Sequence, residues 1–182
     1  KLPTVKQVME AISHSNNSCA GPDGVSFAAW GAVAKHAAPV LHLVLQAMAA
    51  GRLPPEGYNH GLLFLISKKG TLLPSDTRPI SVTNCDNRIL AKAVVAAITP
   101  ALLATLHKAQ KGFVQGRHFE EHLRELNERF YEIVEQGKAG ENYFVLFMDT
   151  AKAFDSIDHD FIHVAVRRAG LPAWFQQLVR AL

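Results

Sequence analysis

The sequence predicts an α/β fold that is rich in helices and contains a small antiparallel sheet. Apolar residues recur at helical spacing over much of the chain, for example along residues 40–48, which is the period of an amphipathic helix. Two short apolar runs, 62–66 and 79–83, are instead typical of strands. A lysine-rich turn signal follows the first run, so we expect a hairpin or a long finger-like loop to join the two. A third run, 144–148, predicts a further strand that ends on Asp149.

Helices are expected to begin at capping residues such as Thr4 and Asp158 and to end at glycine or proline. We expect Pro39 to interrupt one helix and Pro100 to kink or split another, because proline lacks the N–H of the helical hydrogen bond. The predicted helices cover residues 5–14, 26–50, 84–106, 119–135, 158–169 and a last one from Pro172, with a loop over 16–24.

Composition sets the class of protein. The chain has 182 residues, 48% of them hydrophobic, which is ordinary for a globular domain. No uninterrupted run approaches the roughly 18 apolar residues of a transmembrane helix, so no membrane partner is expected. Cys19 and Cys85 are the only cysteines, which gives no disulfide framework and favours an intracellular protein, in the nucleus or the cytoplasm.

Charge divides the chain unevenly. Residues 1–117 carry twelve Lys and Arg against five Asp and Glu, or +7, whereas residues 118–182 carry seven against eleven, or −4. A basic half suits a polyanion such as nucleic acid. The alternative is that these cations lie on solvated helix faces. The chain starts without Met, so we expect it to be a piece of a longer protein.

The aspartate after the third apolar run is the first candidate for chemistry. An ionised carboxylate is costly to bury without partners, so we expect Asp149 at a strand end in a cleft, with Phe154 in the following turn. Such a carboxylate is suited to Mg²⁺, and nucleotidyl transfer uses Mg²⁺ to stabilise both reacting oxygens. The alternative is that Asp149 only caps a turn.

Three further clusters could bind nucleotides or nucleic acid. Lys68, Lys69 and Arg78 flank the hairpin, where a guanidinium and two ammonium groups are suited to a triphosphate, although a hairpin tip is often basic without binding anything. In the segment 110–117, Gly112 lets backbone approach a ligand, Phe113 can stack on a base, and Arg117 can hold a phosphate. Its alternative is an ordinary loop with a core phenylalanine.

The last cluster is a tight turn, Gly21–Pro22–Asp23–Gly24. Its composition indicates a structural turn, although its glycine amides could also face a phosphate backbone. A separate pattern, His118-x-x-Glu121-His122, matches an inverted zinc-protease motif. It has no third ligand, so we do not predict zinc hydrolysis.

In order, these clusters resemble the successive blocks of a reverse transcriptase, most closely those of non-LTR (LINE-type) retrotransposons and next those of group II introns. The resemblance starts near residue 15 and continues to the end of the chain. It implies reverse-transcriptase fingers over 1–117, including an N-terminal helical extension, and the start of an incomplete palm over 118–182. The blocks that carry the resemblance are residues 21–24, 65–70, 78–81, 110–117 and 147–159.

The resemblance implies a role for each candidate. Asp149 looks like a catalytic, metal-binding aspartate, assisted by the main-chain carbonyl of Thr150, with Mg²⁺ or alternatively Mn²⁺. Phe154 is similar to the steric gate that excludes a ribose 2′-OH. The remaining residues would contact dNTP or nucleic acid: Lys68, Lys69 and Arg78 the incoming dNTP, and Gly112, Phe113, Arg117, Gly21 and Gly24 the RNA template with its DNA primer.

The chain also departs from the family pattern. It contains no Asp-Asp pair, so the second metal-binding block, an aromatic-x-Asp-Asp hairpin, is missing. We therefore expect a fragment of an RNA-directed DNA polymerase that cannot polymerise alone. The alternatives are a catalytically inactive RNA-binding module and a protein-interaction module. An apolar strand without its sheet partners also predicts self-association through the incomplete palm.

Overall fold

The computed structural model describes residues 1–68, 70, 73, 76–137, 140, 143–150, 153 and 156–182. Contacts divide the chain into a first unit, residues 1–101 with 160–182, and a second unit, residues 102–159. The α/β prediction, with many helices and one small antiparallel sheet, is confirmed. In chain order the described elements are α1 Val5–Ser13, α2 Phe27–Ala32, α3 Ala34–Ala49, β1 Gly61–Ser67, β2 Thr77–Thr83, α4 Cys85–Thr105, α5 Glu120–Glu135, α6 His159–Arg168 and α7 Ala173–Ala181.

The first unit holds a hydrophobic core in which α1, α3, α4 and α7 meet. Each fully buried large aliphatic side chain stabilises the fold by about 1.5–3 kcal/mol relative to exposure. Helix α7 adds side chains from the end of the chain to a core that starts at residue 8, so packing joins distant parts of the sequence. The largest fully buried residues include Val8, Leu45, Met48, Ile89, Leu90 and Leu178.

The first helix has the predicted cap. The Gln7 amide donates to Thr4 Oγ1 over 3.3 Å, and the Thr4 amide donates to Gln7 Oε1 over 2.9 Å. This reciprocal arrangement satisfies two N–H groups that a helix start leaves without partners. It fixes where α1 begins.

The prediction that Pro39 interrupts a helix was wrong in position, and of the two outcomes predicted for Pro100 the split was wrong. Pro39 lies inside α3, and the break occurs earlier, at Val33, between α2 and α3. Pro100 lies inside α4, which continues to Thr105 without a split. Proline removes one helical hydrogen bond, but buried residues flank both sites, among them Ala38 and Leu41 beside Pro39 and Ile98 beside Pro100. Core packing therefore carries each helix through its proline.

Helix α4 is a core helix of the first unit. Its buried face includes Cys85, Ile89, Ala93 and Val94. Among the described residues it is also the one helix that is long and apolar enough to cross a membrane by length and composition. Asp86, Arg88 and Lys92 lie within this helix, so it contains no uninterrupted run of about 18 apolar residues.

The predicted hairpin forms between β1 and β2. The strands pair antiparallel, with Gly61 opposite Thr83 and Ser67 opposite Thr77. The Lys68 amide donates to the Asp76 carbonyl over 2.8 Å, which extends the pairing by one step. All seven β1 residues are exposed, so the hairpin stands clear of the core.

The second unit contains α5 and the segment 143–150. No described residue of this unit is buried. Helix α5 confirms the predicted helix over 119–135. The predicted strand ending on Asp149 was wrong, because the described segment 143–150 has no regular secondary structure. A strand exists only with a hydrogen-bonded neighbour, and the sheet among the described residues consists of β1 and β2 alone.

Candidate nucleotide and nucleic-acid site

Asp149 lies in an exposed apolar segment rather than at the end of a buried strand. Phe147 is 84% exposed and Met148 is 86% exposed, and Asp149 and Thr150 are exposed as well. The expected cleft is therefore not formed around this carboxylate by the described residues. Phe154, the proposed steric gate, lies outside the described residues.

The oxygen donors of this segment suit a divalent metal in kind but not in number. The Asp149 carboxylate and the Thr150 carbonyl are hard oxygen ligands of the type that Mg²⁺ prefers. Two-metal nucleotidyl transfer needs more than one carboxylate. Within the part of the chain that the structure describes, no group of three or more His, Cys, Asp or Glu side chains converges on a metal position. These residues alone do not complete a metal site.

The hairpin brings two of the predicted dNTP contacts together. Arg78 lies opposite Ile66 in the register, and Lys68 follows Ile66 by two residues. Because side chains alternate between the faces of a strand, Arg78 and Lys68 lie on the same face of the hairpin. Both are exposed. Lys69 lies outside the described residues.

Apolar side chains share that face behind the two cations. Phe64 and Ile80 pair directly in the register and lie two residues from Ile66 and Arg78, respectively. They are 48% and 44% exposed. This hairpin face therefore offers an apolar surface next to two positive charges, a combination suited to a ligand with an aromatic base and phosphates.

The loop between α4 and α5 holds Phe113 at its surface. Phe113 has φ of +59°, a left-handed conformation that costs a residue with a side chain about 1–2 kcal/mol, and it is 98% exposed. The alternative of a core phenylalanine was therefore wrong. Strain held at an exposed aromatic residue is an observation that favours a binding role. The proposed nucleic-acid contact of Gly112, the preceding residue, stays a prediction.

Arg117 stabilises the same loop from within. Its guanidinium donates to the carbonyls of His107 over 2.7 Å and Gln110 over 2.9 Å, and to that of Leu106 over 3.5 Å. These bonds satisfy carbonyls just beyond the end of α4. The proposed phosphate contact of Arg117 stays a prediction, and its observed bonds go to the main chain.

The glutamate of the zinc-protease-like motif forms an ion pair with a lysine. Lys111 forms a salt bridge with Glu121 and lies 3.6 Å from Glu125. The bond from Lys111 holds the pKa of the Glu121 carboxyl below its usual range. The carboxylate between His118 and His122 is thus satisfied by a lysine, and no zinc site is built from the described residues here.

The Gly21–Gly24 turn is built as a turn and requires its glycines. The Gly24 amide donates to the Gly21 carbonyl over 3.0 Å, and the Val25 amide donates to Asp23 Oδ1 over 3.0 Å. Gly24 has φ of +72°, which glycine adopts without strain. A Cβ on Gly21 would lie 2.5 Å from the backbone nitrogen of Asn84, so only glycine permits this close approach.

Sequence reasoning missed the partners of this turn on α4. Asn84 and Arg88 bond to the segment before and within the turn, and Lys92 bonds further back along the same segment. Their spacing of four residues in an otherwise apolar helix was the available signal, because such residues share one helix face. Two cations of the basic half, Arg88 and Lys92, are therefore engaged by protein groups.

Comparison with known proteins extends these observations. The profile of the reverse transcriptase (RNA-dependent DNA polymerase) family matches residues 66–181, which is more than half of the chain. The Transposon TX1 uncharacterized 149 kDa protein of Xenopus laevis is 28% identical over 163 residues, covering 88% of this chain and 12% of that protein. The Retrovirus-related Pol polyprotein from type-1 retrotransposable element R2 of Nasonia vitripennis is 24% identical over 170 residues, covering 93% of this chain and 16% of that protein.

The matches bear out the resemblance read from the five sequence blocks. The chain spans less than a fifth of the length of either relative. Both relatives are proteins of mobile elements, as expected for non-LTR retrotransposons, and the family uses divalent metal ions. Since the family profile covers more than half of the chain, including β2, α4, α5 and the Asp149 segment, the chain belongs to the reverse transcriptase family.

Proposed function

We propose that this chain supplies the fingers and early palm, residues 1–117 and 118–182, of an RNA-directed DNA polymerase of a non-LTR retrotransposon. The observation that carries the proposal is the hairpin face on which Arg78 and Lys68 lie together beside Phe64 and Ile80. Its charges suit the triphosphate of an incoming dNTP. Lys68, Arg78 and Ile80 of this face lie within residues 66–181, which match the reverse transcriptase family, and this supports a role for the face in polymerisation.

The remaining site residues take separate roles in a longer polymerase. Asp149 and the Thr150 carbonyl contribute ligands for Mg²⁺, with Mn²⁺ as the alternative ion, and Phe154 selects deoxynucleotides. Lys69 adds charge to the dNTP contact. The nucleic-acid contacts of the RNA template and DNA primer are assigned to Gly112, Phe113, Arg117, Gly21 and Gly24.

Steady-state kinetics on a longer polymerase that carries this segment tests the dNTP contact. Arg78→Ala is expected to raise the KM for dNTP by about tenfold or more, since a hydrogen bond to a charged group contributes roughly 1.5–3 kcal/mol. Arg52→Ala, at an exposed arginine outside the hairpin, is the matched control and should leave the KM unchanged. An unchanged KM in Arg78→Ala would remove the proposed contact.

A second test concerns the metal ligand. Asp149→Asn in the same longer protein is expected to abolish primer extension, because the amide cannot replace an anionic oxygen ligand. Asp160→Asn is the control and should extend the primer normally. The chain of 182 residues alone is expected to show no extension above background, since its described residues do not complete a metal site.

One observation favours a second candidate, an inactive module that binds RNA or protein. The segment before Asp149 exposes large apolar side chains, with Phe144 at 92% exposure and Leu146 at 78%. Such a segment is suited to strand pairing with another copy of the chain. A strictly monomeric mass in dilute solution would contradict self-association. RNA affinity that does not fall with salt would contradict nucleic-acid binding in both candidates.

We also propose an intracellular site of action, in the nucleus or the cytoplasm. The observation behind it is that Cys19 and Cys85 are both free thiols, as expected in a reducing compartment. Imaging of a fluorescently tagged protein tests this, and accumulation in the secretory pathway would overturn it.

A further inference from the structure

A polar ladder on α4 holds an earlier segment of the chain against the helix. We define the strap as residues 14–24, which connect α1 to the Gly21–Gly24 turn and its neighbours. Asn84, immediately before α4, and Arg88 and Lys92 within it are spaced by four residues. That spacing places them along one helix face. Each of the three bonds to the strap.

The first rung lies where α1 ends. Lys92 Nζ donates to the carbonyl of His14 and lies 3.5 Å from Ser15 Oγ. His14 is the C-cap of α1, where helix carbonyls lack partners and a positive charge is favourable. Lys92 therefore fixes the point at which the strap leaves α1.

The middle rung is the Arg88 guanidinium. It donates to Ser18 Oγ over 3.0 Å and to the carbonyl of Cys19, so two of its nitrogens bind adjacent strap residues. The same group lies 4.7 Å from the centre of the Phe27 ring and 3.2 Å from Cys85 Sγ. These contacts hold the guanidinium in one orientation. A lysine could not make them together, because its ammonium is a compact point charge without the planar set of donors.

The last rung is Asn84, which meets the turn itself. Its Oδ1 accepts a hydrogen bond from the Asp23 amide over 3.1 Å, and Gly21 lies too close to its backbone for any side chain. The order of the rungs, from Lys92 to Asn84, runs against the order of the strap residues. The strap therefore lies antiparallel to α4, with the turn at the helix start.

We propose that Asn84, Arg88 and Lys92 are positioning residues that hold the strap along α4 and thereby set where the Gly21–Gly24 turn meets nucleic acid. The inference rests on the proposed function for the RNA-binding role of the turn, but the anchoring of the strap does not depend on it. It assigns Arg88 and Lys92 a task inside the protein, although their charge alone suggests direct contact with phosphate.

Hydrogen exchange of the 182-residue chain tests the anchoring without RNA. In Arg88→Lys, the amides of Asp23 and Gly24 are expected to exchange about tenfold faster, because the loss of a charged hydrogen bond lets the strap open locally. Core amides of α3 should exchange at the original rate. Ser18→Ala removes an acceptor from an exposed part of the strap and should show the same selective effect without touching the core.

Salt-dependent binding of a mixed-sequence single-stranded RNA tests the consequence. Lys92→Met is expected to weaken binding several-fold while the slope of log affinity against log salt stays the same, since Lys92 holds the strap and not a phosphate. Arg117→Met removes a proposed contact to an RNA phosphate and should reduce the magnitude of the slope by about 0.7. Arg52→Lys, at an exposed arginine away from the strap, is the control for both experiments.

Each outcome decides a different point. Strap amides that exchange at the original rate in Arg88→Lys and Ser18→Ala would overturn the anchoring. In Lys92→Met, a decrease of about 0.7 in the magnitude of the salt slope would also overturn the anchoring, because Lys92 would then contact phosphate directly. Faster strap exchange with unchanged RNA affinity would uphold the anchoring and overturn the proposed RNA contact of the turn.

Discussion

The two units of this chain use apolar residues in opposite ways. In the first unit, side chains such as Leu45 and Leu178 come from opposite ends of the sequence and are almost completely buried. In the second unit, Phe144 and Met148 are more than four-fifths exposed, and no described residue is buried. An apolar run therefore becomes a core only where other elements arrive to cover it.

The two units also differ in how they use charged and polar side chains. In the first unit, Arg88 and Lys92 bond to backbone carbonyls far away in sequence. In the second unit, α5 carries local pairs such as Arg129 with Glu132 at 2.8 Å, each of which is worth only a few tenths of a kcal/mol. Long-range hydrogen bonds hold distant segments together, whereas the local pairs stabilise α5, a helix without a buried residue.

The largest expected difference comes from truncating one leucine in each unit. Leu45→Ala should lower the free energy of unfolding by about 2–5 kcal/mol, because it leaves a cavity in the core. Leu146→Ala, at a side chain that is 78% exposed, should change it by less than about 0.5 kcal/mol. Chemical denaturation of both variants measures this, and equal losses would show that the contrast between the units is false.

A second comparison adds a methyl group to one glycine in each unit. Gly21→Ala should destabilise the first unit by about 1–3 kcal/mol, because the new Cβ would overlap the backbone of Asn84. Gly140→Ala should have little effect, since a Cβ there meets nothing within 4 Å. Thermal unfolding of both variants is the measurement. A stable Gly21→Ala protein would mean that the turn does not press against α4.

Phe113 separates binding from stability in the second unit. Phe113→Asn should weaken single-stranded RNA binding by about 1–3 kcal/mol, the usual range for a stacked aromatic residue. It should not lower stability, because asparagine tolerates a positive φ. Binding titration and thermal unfolding measure the two effects, with exposed Tyr131→Asn on α5 as the control. Unchanged affinity would exclude stacking at this position.

The pH dependence of the first unit follows from Asp86. Burial, with a smaller contribution from the Asp23 carboxylate, raises the pKa of Asp86 above its usual value of 3.8. The folded state then binds this proton more tightly than the unfolded state, so stability falls as pH rises from the usual pKa through the raised one. Asp86→Asn should flatten that fall in denaturation curves measured across the acidic range. A curve unchanged from the original protein would contradict the assignment.

The smallest effect concerns the ion pair in the second unit. The pKa of Glu121 is lowered by Lys111, so its stabilising effect is present above the usual pKa of 4.5 and is lost as pH falls through the lowered one. Lys111→Met should therefore return the Glu121 pKa toward its usual value in a carboxyl NMR titration. Lys108→Met, at an exposed lysine of the same loop, should leave it in place.

Local features were predictable because their physical causes are local. The Thr4 cap, the two strands around 62–66 and 79–83, and the turn at Gly21–Gly24 all follow from hydrogen bonds, strand preferences or turn preferences within a few residues. The position of the helix break was not predictable in this way. Pro39 is a strong local signal, yet core packing on both sides of it outweighs the lost hydrogen bond, and the chain breaks at Val33 instead.

The candidate site was predicted in part for the same reason. Arg78 and Lys68 were predicted as one cluster because both flank the hairpin, and the observed register then places them on one face. The strand before Asp149 was predicted from its composition, but a strand needs a neighbour, and composition does not say whether one is present. The partners of the turn, Asn84 and Arg88, were missed because their four-residue spacing marks a shared helix face but does not say which distant segment meets that face.

The sequence by itself determined the family, through ordered blocks of which those from residue 66 onward lie within the family match, and it indicated candidate residues for a polymerase site. Only the tertiary structure decided which cations are already engaged by protein groups, as Arg88 and Lys92 are, and which remain exposed on the hairpin, as Arg78 is. The reason is that residue type and spacing fix a side chain's chemistry and its helix or strand face. Its partner is chosen only when distant segments pack together.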